Sequence, residues 1–379
     1  MIYLDNAATT KIYDSVNKKI FDINSEFYYN PSALYQKAIE VDNLIKDAKN
    51  VLAKNMGALA DQIIFTSCAT ESNNMAINGF LTGKKDAEYI FSSAEHPSIY
   101  IVANSLKMQN KTVKFVSVNA DGTINEEEFK NLLNPNTHFI SIIHVSNETG
   151  AINNIKKLCA IAKQYNPQII VHTDGTQAFG KIKVNVKDLG VDCYTISAHK
   201  FHGPKGVGAL YVKNPEKLKP LLLGGGQQKG YRSGTENVSG ILGMSLASDI
   251  SVKNIDDNFN QISALRNYIK QEISANCSDY KFNEAENNSP YILNVSLKGI
   301  RSEVLLHMLE EKGVIIGVGS ACSSKKQNNR VLEQMKVDKD YMLGTIRISF
   351  SCFNTPKDIK EATAVIIEQY KTLKEKIKW

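Results

Sequence analysis

The sequence predicts an α/β protein: a mostly parallel sheet covered by helices, joined to a smaller α+β domain. Three observations lead there. The chain has 379 residues, beyond the size at which single cores stop growing. Through the first two-thirds, short and almost continuously apolar segments alternate with helical patterns, as strands buried on both faces require. In the last third that alternation gives way to one long helical stretch and scattered short strands.

Taken in order, Val41, Leu44, Ile45, Ala48, Val51 and Leu52 recur at helical spacing, and Gly57 can end that helix. Gln62–Thr66 is a short apolar strand, and a helix follows from about Glu71. Further strands are expected at Tyr89–Ser92, Val113–Val118, Phe139–Val145, Ile169–Thr173, Tyr194–Ser197 and Ala209–Val212, with helices such as Lys156–Gln164 between them. Beyond these, a helix spans about Asn258 to Ala275, a strand Ile292–Leu297 and a helix Ser302–Lys312. Strands at Val314–Val318 and Ile346–Phe350 precede a last helix near Pro356, a residue suited to a first turn.

Composition excludes several classes. An apolar content of 42% with 22% charged residues is that of a globular protein with a large core. The net charge of +6 is mild, and the lysines of the terminal KTLKEKIKW read as solvated surface rather than a nucleic-acid patch. No apolar run approaches the roughly 20 residues of a membrane span, and MIYLDNAATT lacks the charged and apolar regions of a secretory signal. A cytoplasmic protein is expected. The six cysteines form no CxxC pair, which suggests neither a zinc site nor a disulfide framework.

Four features carry chemistry. Lys200, in SAHKFHGPKGVG, directly follows an apolar strand, where desolvation can lower its pKa and make the amine nucleophilic toward an aldehyde. Asp174, in VHTDGTQ, ends another strand, at the edge where open α/β sheets bind ligands. A carboxylate there can keep a pyridine nitrogen protonated. TSCATESNN takes a strand into a helix whose free N–H groups suit a phosphate, with Ala69 and Thr70 placed for it, although the segment also resembles a plain capping box. His96, in AEHPS, stands just past a strand, where it can stack on a flat ring or move protons. Each feature alone is more often structural than functional. Together they set a phosphate cradle, a ring partner, a carboxylate and a lysine at successive strand ends, which points to pyridoxal phosphate.

The chain also resembles the cysteine desulfurases of the NifS/IscS type, fold-type I pyridoxal-phosphate enzymes of the aminotransferase class V kind. The likeness runs from YLDNAATT at Tyr3 to IRISF at Ile346, through TSCATESNN, EHPS, HVSNETG, HTDGTQAFGK, SAHKFHGPKGVGALY, GGGQQKGYRSGTENV and GSACSS. It implies that Lys200 carries the cofactor as a Schiff base, that Asp174 meets the ring nitrogen, and that His96 stacks on the ring and helps proton transfer. Asn147 and Gln177 match residues bonded to the ring and its phenolic oxygen; Ala69, Thr70, Ser197 and His199 match the phosphate cradle. Thr235 matches a threonine reaching the phosphate of a neighbouring subunit, so a homodimer is implied. Arg347, with Asn30 nearby, matches the grip on the substrate carboxylate, a bidentate task suited to guanidinium.

Cys322 matches the catalytic cysteine. Gly317, Gly319, Ser320 and Ala321 precede it and Ser323, Ser324, Lys325 and Lys326 follow, a setting that suits a mobile loop and a thiolate. The resemblance implies a large cofactor-binding domain over residues 15–250 and a small domain of 1–14 with 251–379. It implies that L-cysteine is converted to L-alanine, leaving a persulfide on Cys322 for an acceptor in iron–sulfur cluster assembly or tRNA thiolation. No resident metal is expected, although the Cys322 persulfide could ligate a transferred iron–sulfur cluster. The sequence departs from the family pattern at Cys68, Gly175, Ser146 and Tyr35, none of which removes a catalytic group. Alternatives are a selenocysteine lyase or another pyridoxal-phosphate transferase, a non-catalytic sulfur scaffold, and a metal or nucleic-acid binder using His199 and His202.

Overall fold

The computed structural model describes residues 1–318 and 329–376. Strand β1 (Ile2–Leu4) opens the chain. Seven strands follow: β2 (Ile63–Thr66), β3 (Glu88–Ser92), β4 (Thr112–Val116), β5 (Thr137–Ile143), β6 (Ile170–Asp174), β7 (Cys193–Ser197) and β8 (Gly208–Val212). They form one sheet in the order β2-β8-β7-β6-β5-β3-β4. Only β8 runs against the rest, pairing antiparallel with both β2 and β7. The sheet is therefore mostly parallel, as the apolar strands predict.

Both faces of this sheet are covered. Ile63, Phe65, Ile90, Ile140 and Ile196 enter one core, packed on helices Gln36–Met56, Ile155–Tyr165 and Val238–Lys253. Their neighbours Ile64, Tyr89, Phe91 and Phe139 enter a second core under helices Ala69–Gly79 and Pro97–Met108. Successive side chains on a strand point to opposite faces, so each strand must be apolar almost throughout. Helix Gln36–Met56 stops where Gly57 takes φ 72°, a left-handed conformation that costs glycine little.

The remaining strands, β9 (Tyr280–Phe282), β10 (Ile292–Leu297), β11 (Val314–Val318) and β12 (Thr345–Ser349), build a second sheet with β1 in the order β1-β11-β12-β10-β9. Helices Ile255–Asn276, Ser302–Glu311 and Pro356–Lys376 accompany it, and it has its own core around Leu4, Leu293, Val295, Ile346 and Ile348. The sequence pattern does not reveal β1 or helix Val238–Lys253. The helix buries Ile241, Leu242, Met244, Ala247 and Ser251 around much of its girth, so it lacks a polar stripe to mark its period.

Candidate active site

Parallel strands end at one edge. The carboxyl ends of β2, β3, β5, β6 and β7 therefore deliver Ala69 and Thr70, His96, Asn147, Asp174 and Ser197 with Lys200 to the same side of the sheet. Ligands of open α/β sheets bind at that edge.

Lys200 ends a single 3₁₀ turn, Ala198–Lys200, after β7. Its Nζ donates to the carbonyls of Ala7 at 2.6 Å and Ala8 at 2.8 Å. Burial, then the Arg347 guanidinium, lower its pKa to about 8, against the opposing pull of Asp174, Asp5 and Glu148. Such an amine is closer to its neutral, nucleophilic form than a surface lysine.

Asp174 is buried at the end of β6. Its Oδ1 accepts from the Thr176 N–H at 2.9 Å and its Oδ2 from Asn73 Nδ2 at 3.0 Å. Asn73 Nδ2 also donates to Ser98 Oγ at 2.9 Å, and Ser98 Oγ lies 2.8 Å from His96 Nδ1. His96 is exposed and caps helix Pro97–Met108, its Nδ1 accepting from the Ser98 N–H at 3.2 Å. Crowding on its protein side lowers its pKa; Lys200 and Arg330 add to this and Asp174 opposes it. Glu95 beside it is buried, and burial followed by Asp174 raises its pKa well above the usual carboxylate range.

Ala69 and Thr70 form the start of helix Ala69–Gly79, whose N-cap Cys68 makes no side-chain cap bond. No capping box forms, because the bond that Glu71 makes falls one residue before the N-cap. Glu71 reaches back to the Ser67 N–H at 2.8 Å and is gripped by Arg232 at 2.7 and 3.1 Å. Ser197 Oγ, buried at the end of β7, has no hydrogen-bond partner among the described residues. His199 Nδ1 lies 3.1 Å from Thr9 Oγ1, and burial, then Lys200 and Lys205, lower its pKa to about 4.

Gln177 Nε2 donates to the Ala7 carbonyl at 2.8 Å, while its Oε1 accepts from Lys181 at 2.6 Å. Arg347, buried on β12, donates from Nη2 to Asp5 at 2.9 Å and from Nη1 to the Asn147 carbonyl at 3.0 Å, with Glu148 Oε1 at 3.5 Å. Asn147 turns its amide to Glu148 at 2.9 Å. The segment from Asp5 to Thr10 thus crosses from the second sheet to the first and meets Arg347, Lys200, Gln177 and His199 in turn.

Two expected residues are exposed within the chain. Asn30 is exposed, bonded to the Ser32 N–H at 3.0 Å, and makes no hydrogen bond to Arg347. Thr235 is exposed and, with Ser67, Gly206 and Gln228, lines a cavity of about 150 Å³. Cys322 and its neighbours from Gly319 to Asn328 lie outside the described residues. Among the described residues no group of three or more His, Cys, Asp or Glu could hold a metal ion. Asp5, Asn73, Ser98, Glu148 and Lys181 were not singled out from the sequence. Asn73 and Ser98 lie within the TSCATESNN and EHPS stretches, and Lys181 is four residues beyond Gln177 in a turn, yet hydrogen bonds between separate strand ends leave no trace in local spacing.

These residues fit pyridoxal phosphate. A desolvated lysine suits its aldehyde, a buried carboxylate suits its ring nitrogen, and an unpartnered serine hydroxyl with a helix start without a side-chain cap suits its phosphate.

The family model of class-V aminotransferases matches residues 2–361. A cysteine desulfurase IscS of Dictyoglomus turgidum is 38% identical over 379 residues, covering 98% of this chain and 96% of its own. A solved NifS-like protein shares 32% identity at a TM-score of 0.93, covering 98% of this chain and all of its own. A solved structure of SspA in complex with cysteine shares 30% identity at a TM-score of 0.83, covering 94% of this chain and 100% of its own.

Proposed function

Since the chain belongs to the class-V aminotransferases and is a pyridoxal-phosphate-dependent cysteine desulfurase of the NifS/IscS type, we propose that Lys200, Asp174, His96 and Cys322 divide its chemistry among them. The observation that carries this division is the desolvated Lys200 amine, with pKa about 8, at the same sheet edge as the buried Asp174 carboxylate.

Bound pyridoxal phosphate supplies an electron sink for the bonds around the substrate Cα. Lys200 would hold the cofactor through its amine, and its freed amine would take the substrate Cα proton as general base. Asp174 keeps the ring nitrogen protonated. Asn147 and Gln177 bond the ring and its phenolic oxygen, and Ala69, Thr70, Ser197 and His199 cradle the phosphate, joined by Thr235 from the second subunit of a homodimer. Arg347, assisted by Asn30, receives the substrate carboxylate. The Cys322 thiolate attacks the substrate sulfur; the sulfur–sulfur bond forms as the carbon–sulfur bond breaks. His96 serves proton transfer, and the products are L-alanine and the Cys322 persulfide.

The acceptor is a sulfur-carrying protein serving iron–sulfur cluster assembly or tRNA thiolation, and a mixed disulfide trapped on Cys322 would retrieve it. We divide the chain into 15–250 and 1–14 with 251–379, a division supported by the second sheet's own core, with Val331, Leu332, Met335 and Val337 packing back into the core of the first sheet. The five described cysteines are free thiols, which suits a reducing cytoplasm; no described helix is long and apolar enough to cross a membrane.

The test is Cys322→Ala, assayed for alanine and sulfide from cysteine, beside Lys200→Ala, read by its visible spectrum. Loss of sulfur transfer in the first and of lysine-dependent absorbance in the second is expected. Undiminished transfer by Cys322→Ala would overturn the role of Cys322.

A further inference from the structure

His96 and Asp174 are joined through two side chains that no step above uses. Asn73 Nδ2 donates to Asp174 Oδ2 at 3.0 Å and to Ser98 Oγ at 2.9 Å. An amide nitrogen has two N–H donors and no acceptor, so both of its protons are committed. Ser98 Oγ therefore accepts from Asn73, leaving its own proton for His96 Nδ1 at 2.8 Å. The Ser98 backbone N–H points at the same ring nitrogen at 3.2 Å. Nδ1 thus faces two donors and must be the unprotonated nitrogen. The bonding pattern assigns the neutral ring as the Nε2–H tautomer.

We propose that Ser98 and Asn73 are positioning residues that tie His96 to Asp174 and hold it as the neutral Nε2–H tautomer. Asn73 and Ser98 are buried, so the link is shielded from competing water. A proton added at Nδ1 would meet the Ser98 N–H head on and force the Ser98 hydroxyl to turn away. The arrangement therefore opposes the imidazolium form. The charged groups facing the ring pull in different directions: Asp174 favours the cation, while Lys200 and Arg330 disfavour it.

The consequence rests on the reading of His96 as the residue beside the cofactor ring. His96 then offers a fixed N–H from Nε2 to an anionic or sulfur acceptor of the substrate, so its part in proton transfer is that of a donor at Nε2 and not of a base there. Its rotation is limited by the Ser98 bonds, so the donor is aimed before substrate arrives.

The test does not depend on turnover. The full chain, with and without pyridoxal phosphate, is labelled with ¹⁵N-histidine. The His96 signals are identified by their loss in His96→Gln, and tautomer and titration are read from the ring nitrogens. The wild type is expected to show protonated Nε2 and bare Nδ1. Ser98→Ala should raise the His96 pKa by roughly half to one pH unit, the worth of one ordinary hydrogen bond, and Ser98→Thr, which keeps the hydroxyl, should restore it. The acid limb of kcat/KM for cysteine should move with it. A wild-type ring protonated at Nδ1, or a titration unmoved by Ser98→Ala, overturns the proposal. The wild-type measurement stands even where a variant fails to fold. Failure of the catalytic reading would instead appear as full activity in His96→Gln, which leaves the tautomer result untouched.

Discussion

The ring of Tyr194 stands where a side chain at position 175 would go: a Cβ on Gly175 would lie 1.9 Å from Cε1 and 2.3 Å from the hydroxyl oxygen of Tyr194. Tyr194 is fully buried, and its hydroxyl lies 2.8 Å from His144 Nδ1, so the ring cannot retreat. This explains why glycine is tolerated, and needed, immediately after Asp174.

Gly175→Ala is therefore expected to destabilise the fold by about 1–3 kcal/mol, as overpacking does, and to weaken pyridoxal phosphate binding by displacing Asp174. Tyr194→Leu alone costs stability by leaving His144 without its partner. Combined, the two changes should cost less than their sum. A double-mutant cycle from denaturant melts checks this, and strict additivity would sink the explanation.

Lys181 is buried, donates to Gln177 and forms no ion pair among the described residues. Burial, followed by repulsion from Lys200 and Arg347, lowers its pKa from 10.5 to about 7. Between these two values the unfolded chain binds the proton that the folded chain has lost, so stability rises with pH across that window. Lys181→Met removes the burdened amine. Its stabilising effect on Tm should be greatest near pH 7 and shrink toward pH 10.5. A Tm difference constant over that range would contradict the assignment.

Arg347 is flanked by Asp5 and Glu148, so an incoming carboxylate competes with two already present. Asp5→Asn should lower KM for cysteine roughly five- to tenfold, about 1–1.4 kcal/mol, with a smaller change in kcat. Arg347→Lys, which loses the planar fork, should raise KM by about tenfold or more. Steady-state kinetics decide both, and a higher KM in Asp5→Asn would show that Asp5 aligns Arg347 rather than competing with substrate.

Thr235 is exposed within its own chain. If it completes the phosphate site of a second subunit, mixing Lys200→Ala chains with Thr235→Ala chains should create hybrids with one intact site. Cofactor affinity at that site should match the wild type. Hybrids that keep the weakened affinity of Thr235→Ala would mean that the residue acts within its own chain.

The large sheet was legible because its strands are buried on both faces and their apolar runs are bounded by helices. Asp174 and Lys200 were legible for a related reason: one ends such a strand and the other lies three residues past one. Helix Val238–Lys253 escaped notice through its all-round burial, and β1 through its three-residue length. Asn30 and Arg347 were expected to meet the substrate carboxylate together; the sequence did not reveal that Asp5 and Glu148 already flank the Arg347 guanidinium.

By itself the sequence determined the residue types at the strand ends, and with them the cofactor, since each lies next to a local signal of strand or helix termination; the reaction came from the family resemblance carried by stretches such as GSACSS. The tertiary structure decided how those residues are held: Lys181 on Gln177, Asp5 on Arg347, Tyr194 against Gly175, and Asn73 and Ser98 between Asp174 and His96. Apart from Lys181 on Gln177 and Ser98 on His96, these contacts join segments well separated in the chain, and the energies of all of them depend on burial and direction, which no local pattern of residues encodes.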